Sequence, residues 1–153
     1  MEIRRVGVVG LGTMGAGIAQ VALQAGNEVV GREVTAELGE QARSKIDHFL
    51  TRAVEKGRME QAEKDAAMDR LTTTTEVGDL ADADLVVEAI VEELPPKREL
   101  FAELDRITRP EAILATNTSA LSVSQIAEAT ERPDRVIGMH FFNPAPVLPL
   151  VEI

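Results

Sequence analysis

The chain has 153 residues, no cysteine, and a formal net charge of -10 at pH 7, with 44% hydrophobic residues. This size and composition are typical of one globular domain, and no apolar run is long enough to span a bilayer. The absence of cysteine excludes disulfides and thiol catalysis and suits a cytoplasmic protein. The negative charge argues against nucleic acid or an anionic membrane as a partner, and no signal peptide is evident.

The first predicted strand, residues 3–10, leads directly into a glycine-rich turn and a helix over residues 13–25. The turn has the pattern G-x-G-x-x-G, formed by Gly10, Gly12 and Gly15. In dinucleotide sites, such glycines allow a sharp turn, a close approach of the backbone to the pyrophosphate, and tight packing of the helix on the strand. The free N–H groups of the first helical turn then face the phosphates. This stretch therefore predicts a dinucleotide site.

The second predicted strand, residues 28–34, contains Glu33, eighteen residues after Gly15. A carboxylate near this spacing binds the adenosine ribose in dinucleotide folds. A long helix is then predicted from Thr35 to Gly57, followed by a shorter one over residues 60–70, and the pair is expected to project as a helical hairpin. The long helix carries one apolar stripe: Leu38, Ala42, Ile46, Phe49, Leu50 and Ala53. His48 on this helix is expected at the surface without a chemical role.

The remaining elements alternate between strands and helices. Strands are predicted over residues 71–75, 83–89, 112–116 and 135–139, and residues 150–153 are predicted to begin one more. Helices are predicted from Pro95 to the residue before Pro110 and over residues 122–130. This alternation predicts an α/β fold with a doubly wound, mostly parallel sheet in one domain, residues 1–153.

His140 ends the predicted strand V-I-G-M-H, and open parallel sheets bind ligands beyond the carboxyl ends of their strands. Twelve residues later, Glu152 lies in the apolar sequence L-V-E-I, where a carboxylate is costly to bury unless it is paired. A buried Glu152 beside His140 would orient the imidazole and favour its protonated form, as a general base requires. Spacing alone leaves open that His140 only ends a strand and that Glu152 points to solvent.

Four segments together resemble the NAD-binding domain of the L-3-hydroxyacyl-CoA dehydrogenases, including the bacterial 3-hydroxybutyryl-CoA dehydrogenases. They are G-L-G-T-M-G from Gly10, D-L-V-V-E-A-I-V-E-E from Asp84, T-N-T-S from Thr116 and G-M-H-F-F-N-P from Gly138. The resemblance covers essentially the whole chain in the right order, and the last segment is highly specific. It implies a Rossmann-type fold, NAD as cofactor, and interconversion of L-3-hydroxyacyl-CoA and 3-ketoacyl-CoA.

The resemblance also implies the site residues. His140 is expected to be the acid/base and Glu152 its partner, while Ser119 and Asn143 contact the substrate. The implied cofactor contacts are Gly10, Gly12, Thr13, Met14, Gly15, Glu33, Glu92, Lys97 and Asn117. Lys56 and Arg58 at the helical hairpin are expected to contact the CoA phosphates, and no metal is expected.

The chain departs from the family pattern in two ways. The family usually has Asp where this chain has Glu33. Glu33 still repels a 2′-phosphate and so favours NAD over NADP, whereas Arg32 beside it could partly offset that repulsion. The family also continues into a helical C-terminal domain that dimerises and closes the cleft. Its absence from residues 1–153 predicts self-association through an exposed apolar surface and little turnover by this chain alone.

Two other functions stay open at this point. One is a non-catalytic dinucleotide-binding module, although binding alone requires neither His140 nor Ser119. The other is a dehydrogenase of a free hydroxy acid or sugar acid, against which the helical hairpin argues.

Overall fold

The computed structural model describes all 153 residues and contains one six-stranded parallel sheet in the order β3-β2-β1-β4-β5-β6. The strands are β1 (Arg5–Val9), β2 (Glu28–Arg32), β3 (Leu71–Thr74), β4 (Leu85–Glu88), β5 (Ile113–Thr116) and β6 (Val136–Gly138). The strand order reverses at β1, which has β2 on one side and β4 on the other. A crevice for ligands is expected beyond the carboxyl ends of strands at such a reversal. The predicted doubly wound α/β fold is confirmed.

Helices cover both faces of the sheet. They are α1 (Thr13–Gln24), α2 (Ala36–Glu55), α3 (Gln61–Asp69), α4 (Leu94–Ile107) and α5 (Val123–Ala127). A core cluster of 19 buried residues lies between the sheet and α1, α2 and α3, and a second cluster of 11 buried residues joins the other face to α4 and α5. Successive residues of β1 alternate between these clusters, as the pleat of a strand requires. None of the helices is long and apolar enough to traverse a lipid bilayer.

The predicted helical hairpin is formed by α2 and α3. Thr35 caps α2, since its side chain accepts a hydrogen bond from the Leu38 backbone N–H at 3.2 Å, and Gly57 follows the helix with φ +71°. Two residues of the apolar stripe, Leu38 and Phe49, are 41% and 45% exposed. Neighbouring elements cover α2 only along a narrow central stripe, Ala42, Ile46 and Leu50. His48 is exposed, as predicted.

A second, two-stranded antiparallel sheet follows β6. It pairs β7 (His140–Phe141) with β8 (Val151–Glu152), and His140 lies opposite Glu152. The prediction that His140 ends the preceding strand is therefore wrong, because His140 begins β7. The strand predicted to begin in residues 150–153 is present as β8, and it pairs antiparallel with β7. The chain leaves the parallel sheet after Gly138, and residues 142–150 turn it back so that the two short strands meet.

Candidate active site

The turn between β1 and α1 has the geometry that its glycines predict. Gly10 has φ +86°, and a Cβ there would lie 2.7 Å from the carbonyl oxygen of Ala89. A Cβ on Gly15 would lie 1.7 Å from the carbonyl oxygen of Gly10, so only glycine allows this close packing of α1. A Cβ on Gly12 would meet no atom within 4 Å. The first turn of α1 carries no acidic residue and no side-chain cap, so its N–H groups are available to a phosphate.

Glu33 lies beside this turn, just after β2. Its carboxylate accepts hydrogen bonds from the backbone N–H groups of Leu11, at 2.6 Å, and Val34, at 3.0 Å. The adjacent Arg32 donates from Nε to the carbonyl oxygen of Thr75 at 3.0 Å, on the side of β3. The carboxylate is thus fixed against the glycine turn, and the neighbouring guanidinium is bound elsewhere.

A cavity of about 310 Å³, here termed the inner cavity, lies at the carboxyl ends of the strands. Ala89, Ile90, Phe141 and Phe142 are among its apolar lining residues. The predicted site residues that line it are Met14, Glu92, Lys97, Asn117, Ser119, His140 and Asn143. The fold therefore brings together side chains that lie far apart in the sequence, from the glycine turn to the segment after β6.

Glu92 organises one wall of the inner cavity. Its carboxylate accepts hydrogen bonds from the Thr118 hydroxyl at 2.5 Å, the Ser119 backbone N–H at 3.1 Å and the Ser119 hydroxyl at 3.3 Å. Burial acts to raise the pKa of Glu92, but these hydrogen bonds and the charge of Lys97, 3.6 Å away, outweigh it. The net pKa of Glu92 therefore lies below its ordinary value, and the carboxylate is ionised when it holds Ser119.

Lys97 is buried within an ion pair on the same wall. Its side chain is 2% exposed, and its ammonium group donates to the carboxylate of Glu88, which is fully buried at the end of β4. Glu88 also accepts hydrogen bonds from the Thr116 hydroxyl at 2.6 Å and from the Ile90 backbone N–H at 2.8 Å. The buried carboxylate is thus fully supplied with donors, as a buried charge requires.

His140 and Glu152 face each other across the small antiparallel sheet. The His140 Nδ1 atom lies 3.7 Å from a carboxylate oxygen of Glu152, beyond hydrogen-bond length. The Glu152 side chain is 72% exposed and that of His140 is 31% exposed. Of the two placements of Glu152 that spacing leaves open, the structure has the exposed one, because β8 lies at the surface. The imidazole also contacts Phe142, with ring centroids 4.8 Å apart.

A larger cavity of about 630 Å³, here termed the basic groove, runs from α1 along the helical hairpin to residues 143–147. Four cations line it and no acidic residue does: Lys45, Arg52, Lys56 and Arg58. None of the four forms an ion pair with a carboxylate. In a chain of net charge -10, this cluster of unpaired cations indicates an anionic ligand. Asn143 lines both the basic groove and the inner cavity, so the two lie side by side at that residue.

Comparison with known proteins places this geometry in a family. Residues 5–153 match the family model described as 3-hydroxyacyl-CoA dehydrogenase, NAD binding domain. The chain belongs to the 3-hydroxyacyl-CoA dehydrogenase family. It is 51% identical to a 3-hydroxybutyryl-CoA dehydrogenase of Mycobacterium tuberculosis over 99% of its own length. It spans 53% of that relative's length, so the match covers about half of the longer protein.

Solved structures of the 3-hydroxyacyl-CoA dehydrogenase family have the same fold. The crystal structure of M. tuberculosis FadB2 matches 99% of this chain and 53% of its own, with a TM-score of 0.95 and 50% identity. That of 3-hydroxybutyryl-CoA dehydrogenase from Escherichia coli K12 matches 99% of this chain and 32% of its own, with a TM-score of 0.97 and 42% identity. The predicted family and the NAD-binding Rossmann domain are confirmed, whereas the role of each site residue stays a prediction.

Sequence reasoning missed three charged residues of this 3-hydroxyacyl-CoA dehydrogenase domain. Lys45 and Arg52 line the basic groove beside the predicted Lys56. Their spacings of seven and four residues place Lys45 and Arg52 on one face of α2 with Lys56, which caps the helix, on the same side, a signal that was available in the sequence. Glu88 was missed as the partner of Lys97. A charged residue that ends an apolar strand is itself a signal, because its burial requires a partner.

Proposed function

We propose that this chain is the catalytic, NAD-binding domain of an enzyme that interconverts L-3-hydroxyacyl-CoA and 3-ketoacyl-CoA. The observation that carries the proposal is that Asn143 lines both the inner cavity and the basic groove, while His140 lines the inner cavity. The inner cavity has the residues for acid/base chemistry at a dinucleotide site, and the basic groove has unpaired cations for a polyanionic substrate.

The glycine turn fits a bound dinucleotide. Gly12 is open to a ligand, and the uncapped N–H groups of α1, which begins at Thr13, suit a diphosphate. The carboxylate of Glu33 suits ribose hydroxyls and repels a 2′-phosphate, which favours NAD over NADP. Glu92 and Lys97 would lie at the nicotinamide end. Bound NAD supplies the acceptor for the hydride from C3 of the hydroxyacyl group.

The basic groove fits coenzyme A. Its four cations provide charge for the phosphates, and its apolar residues, among them Ile46, Phe49 and Met59, suit the less polar parts of the molecule. The proposal extends the predicted contacts Lys56 and Arg58 to Lys45 and Arg52. A free hydroxy acid needs no such groove, so the unpaired cations favour an acyl-CoA substrate over the alternative.

His140 is the proposed acid/base. Its Nδ1 atom lies on the side of Glu152, which leaves Nε2 to accept the proton of the 3-hydroxyl group. In the opposite direction, the protonated imidazole polarises and then protonates the 3-keto oxygen. Ser119, held by Glu92, and Asn143 would hydrogen-bond the substrate oxygens and so orient the reacting carbon.

The proposed enzyme is longer than these 153 residues. Because relatives are about twice as long, we propose a further domain that covers the exposed apolar side chains near the groove and forms a homo-oligomer. These side chains are Val147, Leu148, Leu150, Val151 and Ile153. A cytoplasmic location, consistent with a chain that lacks cysteine, is also part of the proposal.

The test replaces each of the two histidines of the chain in turn. His140→Gln should lower turnover of acetoacetyl-CoA by NADH in the full-length enzyme by about 10² to 10⁴, the usual contribution of a positioned acid/base. NADH affinity, measured by nicotinamide fluorescence, should stay within about twofold. His48→Gln is the matched control, because His48 is exposed on α2.

Equal turnover by the two variants would remove His140 from the mechanism. Free acetoacetate is the second substrate to assay: if it is reduced as well as acetoacetyl-CoA, the proposed CoA substrate is wrong. NADPH that binds as tightly as NADH would contradict the role given to Glu33.

A further inference from the structure

Asn117 lies where β6 separates from β5. The two strands pair regularly up to Thr116 opposite Gly138, and the Met139 backbone N–H still donates to the Thr116 carbonyl oxygen at 2.8 Å. In a regular parallel ladder the next donor, the Phe141 N–H, would bond to the carbonyl two residues further along β5. Instead it donates to Oδ1 of the Asn117 side chain at 3.0 Å.

This exchange of a backbone acceptor for a side-chain acceptor has two effects. It lets the chain after β5 turn away, so that Thr118 and Ser119 bond to Glu92 on the wall of the inner cavity. It also keeps the Phe141 backbone attached to β5 while β7 pairs with β8.

His140 is therefore held through both of its neighbours. Met139 is bonded to the β5 backbone, and Phe141 is bonded to Asn117. Phe141 is only 6% exposed, so its N–H has no ready replacement for the lost acceptor if the side chain of Asn117 is removed. The Asn117 amide nitrogen, by contrast, makes no hydrogen bond within the protein.

We propose that Asn117 is a positioning residue for His140: its Oδ1 atom fixes the Phe141 backbone and thereby holds the imidazole at the inner cavity against Phe142. The inference rests on the proposed function only for the importance of His140. It adds a role for Asn117 beside the predicted contact with the cofactor, which would use the free amide nitrogen.

The test measures hydrogen exchange of backbone amides by NMR in the 153-residue chain. In Asn117→Ala, protection of the Phe141 amide should fall about five- to tenfold, which is the effect of losing one hydrogen bond on a local opening equilibrium. The Met139 amide is the internal control, because its acceptor is the Thr116 backbone and should be unaffected. Asn117→Asp keeps an acceptor oxygen of the same shape and should restore protection of the Phe141 amide.

The second readout is the imidazole itself. The Phe142 ring, 4.8 Å away, displaces the proton resonances of His140, and this displacement should shrink in Asn117→Ala as the ring geometry relaxes. His48, the other histidine, should keep its resonances. Unchanged Phe141 protection or unchanged His140 resonances would overturn the proposal. So would equal loss of protection at Met139, which would indicate a general loosening of β6.

These measurements do not use turnover. If His140→Gln retains activity, the proposed acid/base role fails, while the exchange and resonance data still decide whether Asn117 positions this side chain.

Discussion

Replacing Lys97 by methionine tests whether the buried ion pair stabilises the wall of the inner cavity. Lys97 is 2% exposed and Glu88 is 0% exposed, so the substitution would leave a carboxylate with no access to water and no counter-ion. Removing one partner of such a pair costs about 3 to 5 kcal/mol. Since a domain of this kind is stable by about 5 to 15 kcal/mol, Lys97→Met should lose a large part of its free energy of unfolding.

Urea unfolding followed by circular dichroism measures this loss. Lys45→Met is the matched control: it removes an exposed, unpaired lysine and should change the free energy of unfolding by less than about 0.5 kcal/mol. The double variant Glu88→Leu and Lys97→Met removes both charges and should be more stable than Lys97→Met alone, because no buried charge is left unpaired. If the free energy of unfolding of Lys97→Met lies within about 1 kcal/mol of that of the parent chain, the ion pair between Lys97 and Glu88 does not stabilise the fold in this way.

Three further predictions concern the turn, the cavity wall and the hairpin. Gly12→Ala should lower the free energy of unfolding by at most about 1 kcal/mol but weaken NADH binding about 10- to 100-fold in fluorescence titrations. The reason is that the new methyl group occupies the space open to the diphosphate. Gly78 is equally open, and Gly78→Ala, the control, should bind NADH normally. The pKa of Glu92 is lowered on folding, so its stabilising contribution is complete above the ordinary pKa of glutamate and is lost as the pH falls through the lowered value. The gap in unfolding free energy between the parent chain and Glu92→Gln should therefore be constant near neutral pH and shrink only in acid, and a gap that shrinks on raising the pH would contradict this sign. Lys64 joins α3 to α2 by donating a hydrogen bond to the Thr51 hydroxyl at 2.7 Å. Because α2 carries cations of the basic groove, Lys64→Met should weaken CoA binding, measured by calorimetry, and leave NADH binding intact.

The glycine turn could be predicted from the sequence because its constraints are local. A positive φ at Gly10 and contact between α1 and the turn at Gly15 depend on neighbouring residues, and both are present. The alternation of strands and helices was likewise sufficient for the doubly wound sheet, with strand ends displaced by only a few residues. The candidate site combines segments that are distant in the chain. They could be linked from the sequence only through the family resemblance, for which the G-M-H-F-F-N-P segment is highly specific.

Features that depend on distant contacts were not predictable. The strands β7 and β8 have two residues each, too few to show the alternation of apolar and polar residues that indicates a strand. Only the return of the chain through residues 142–150 brings them together. The exposure of Glu152 follows from that pairing. The position of Glu88 at the end of an apolar strand indicates that it needs a partner, but the sequence does not identify that partner as Lys97, because the two meet only when α4 packs on the sheet.

Residues 142–150 join β7 to β8, and several of them also form one side of the basic groove. A coenzyme A molecule seated in that groove would press on the same stretch of chain that sets the separation of His140 and Glu152. Binding energy gained far from the reacting carbon could thus be converted into alignment of His140, the proposed acid/base, with Glu152. An acyl group on a shortened carrier should consequently react more slowly even at saturation, as a defect in kcat and not only in KM.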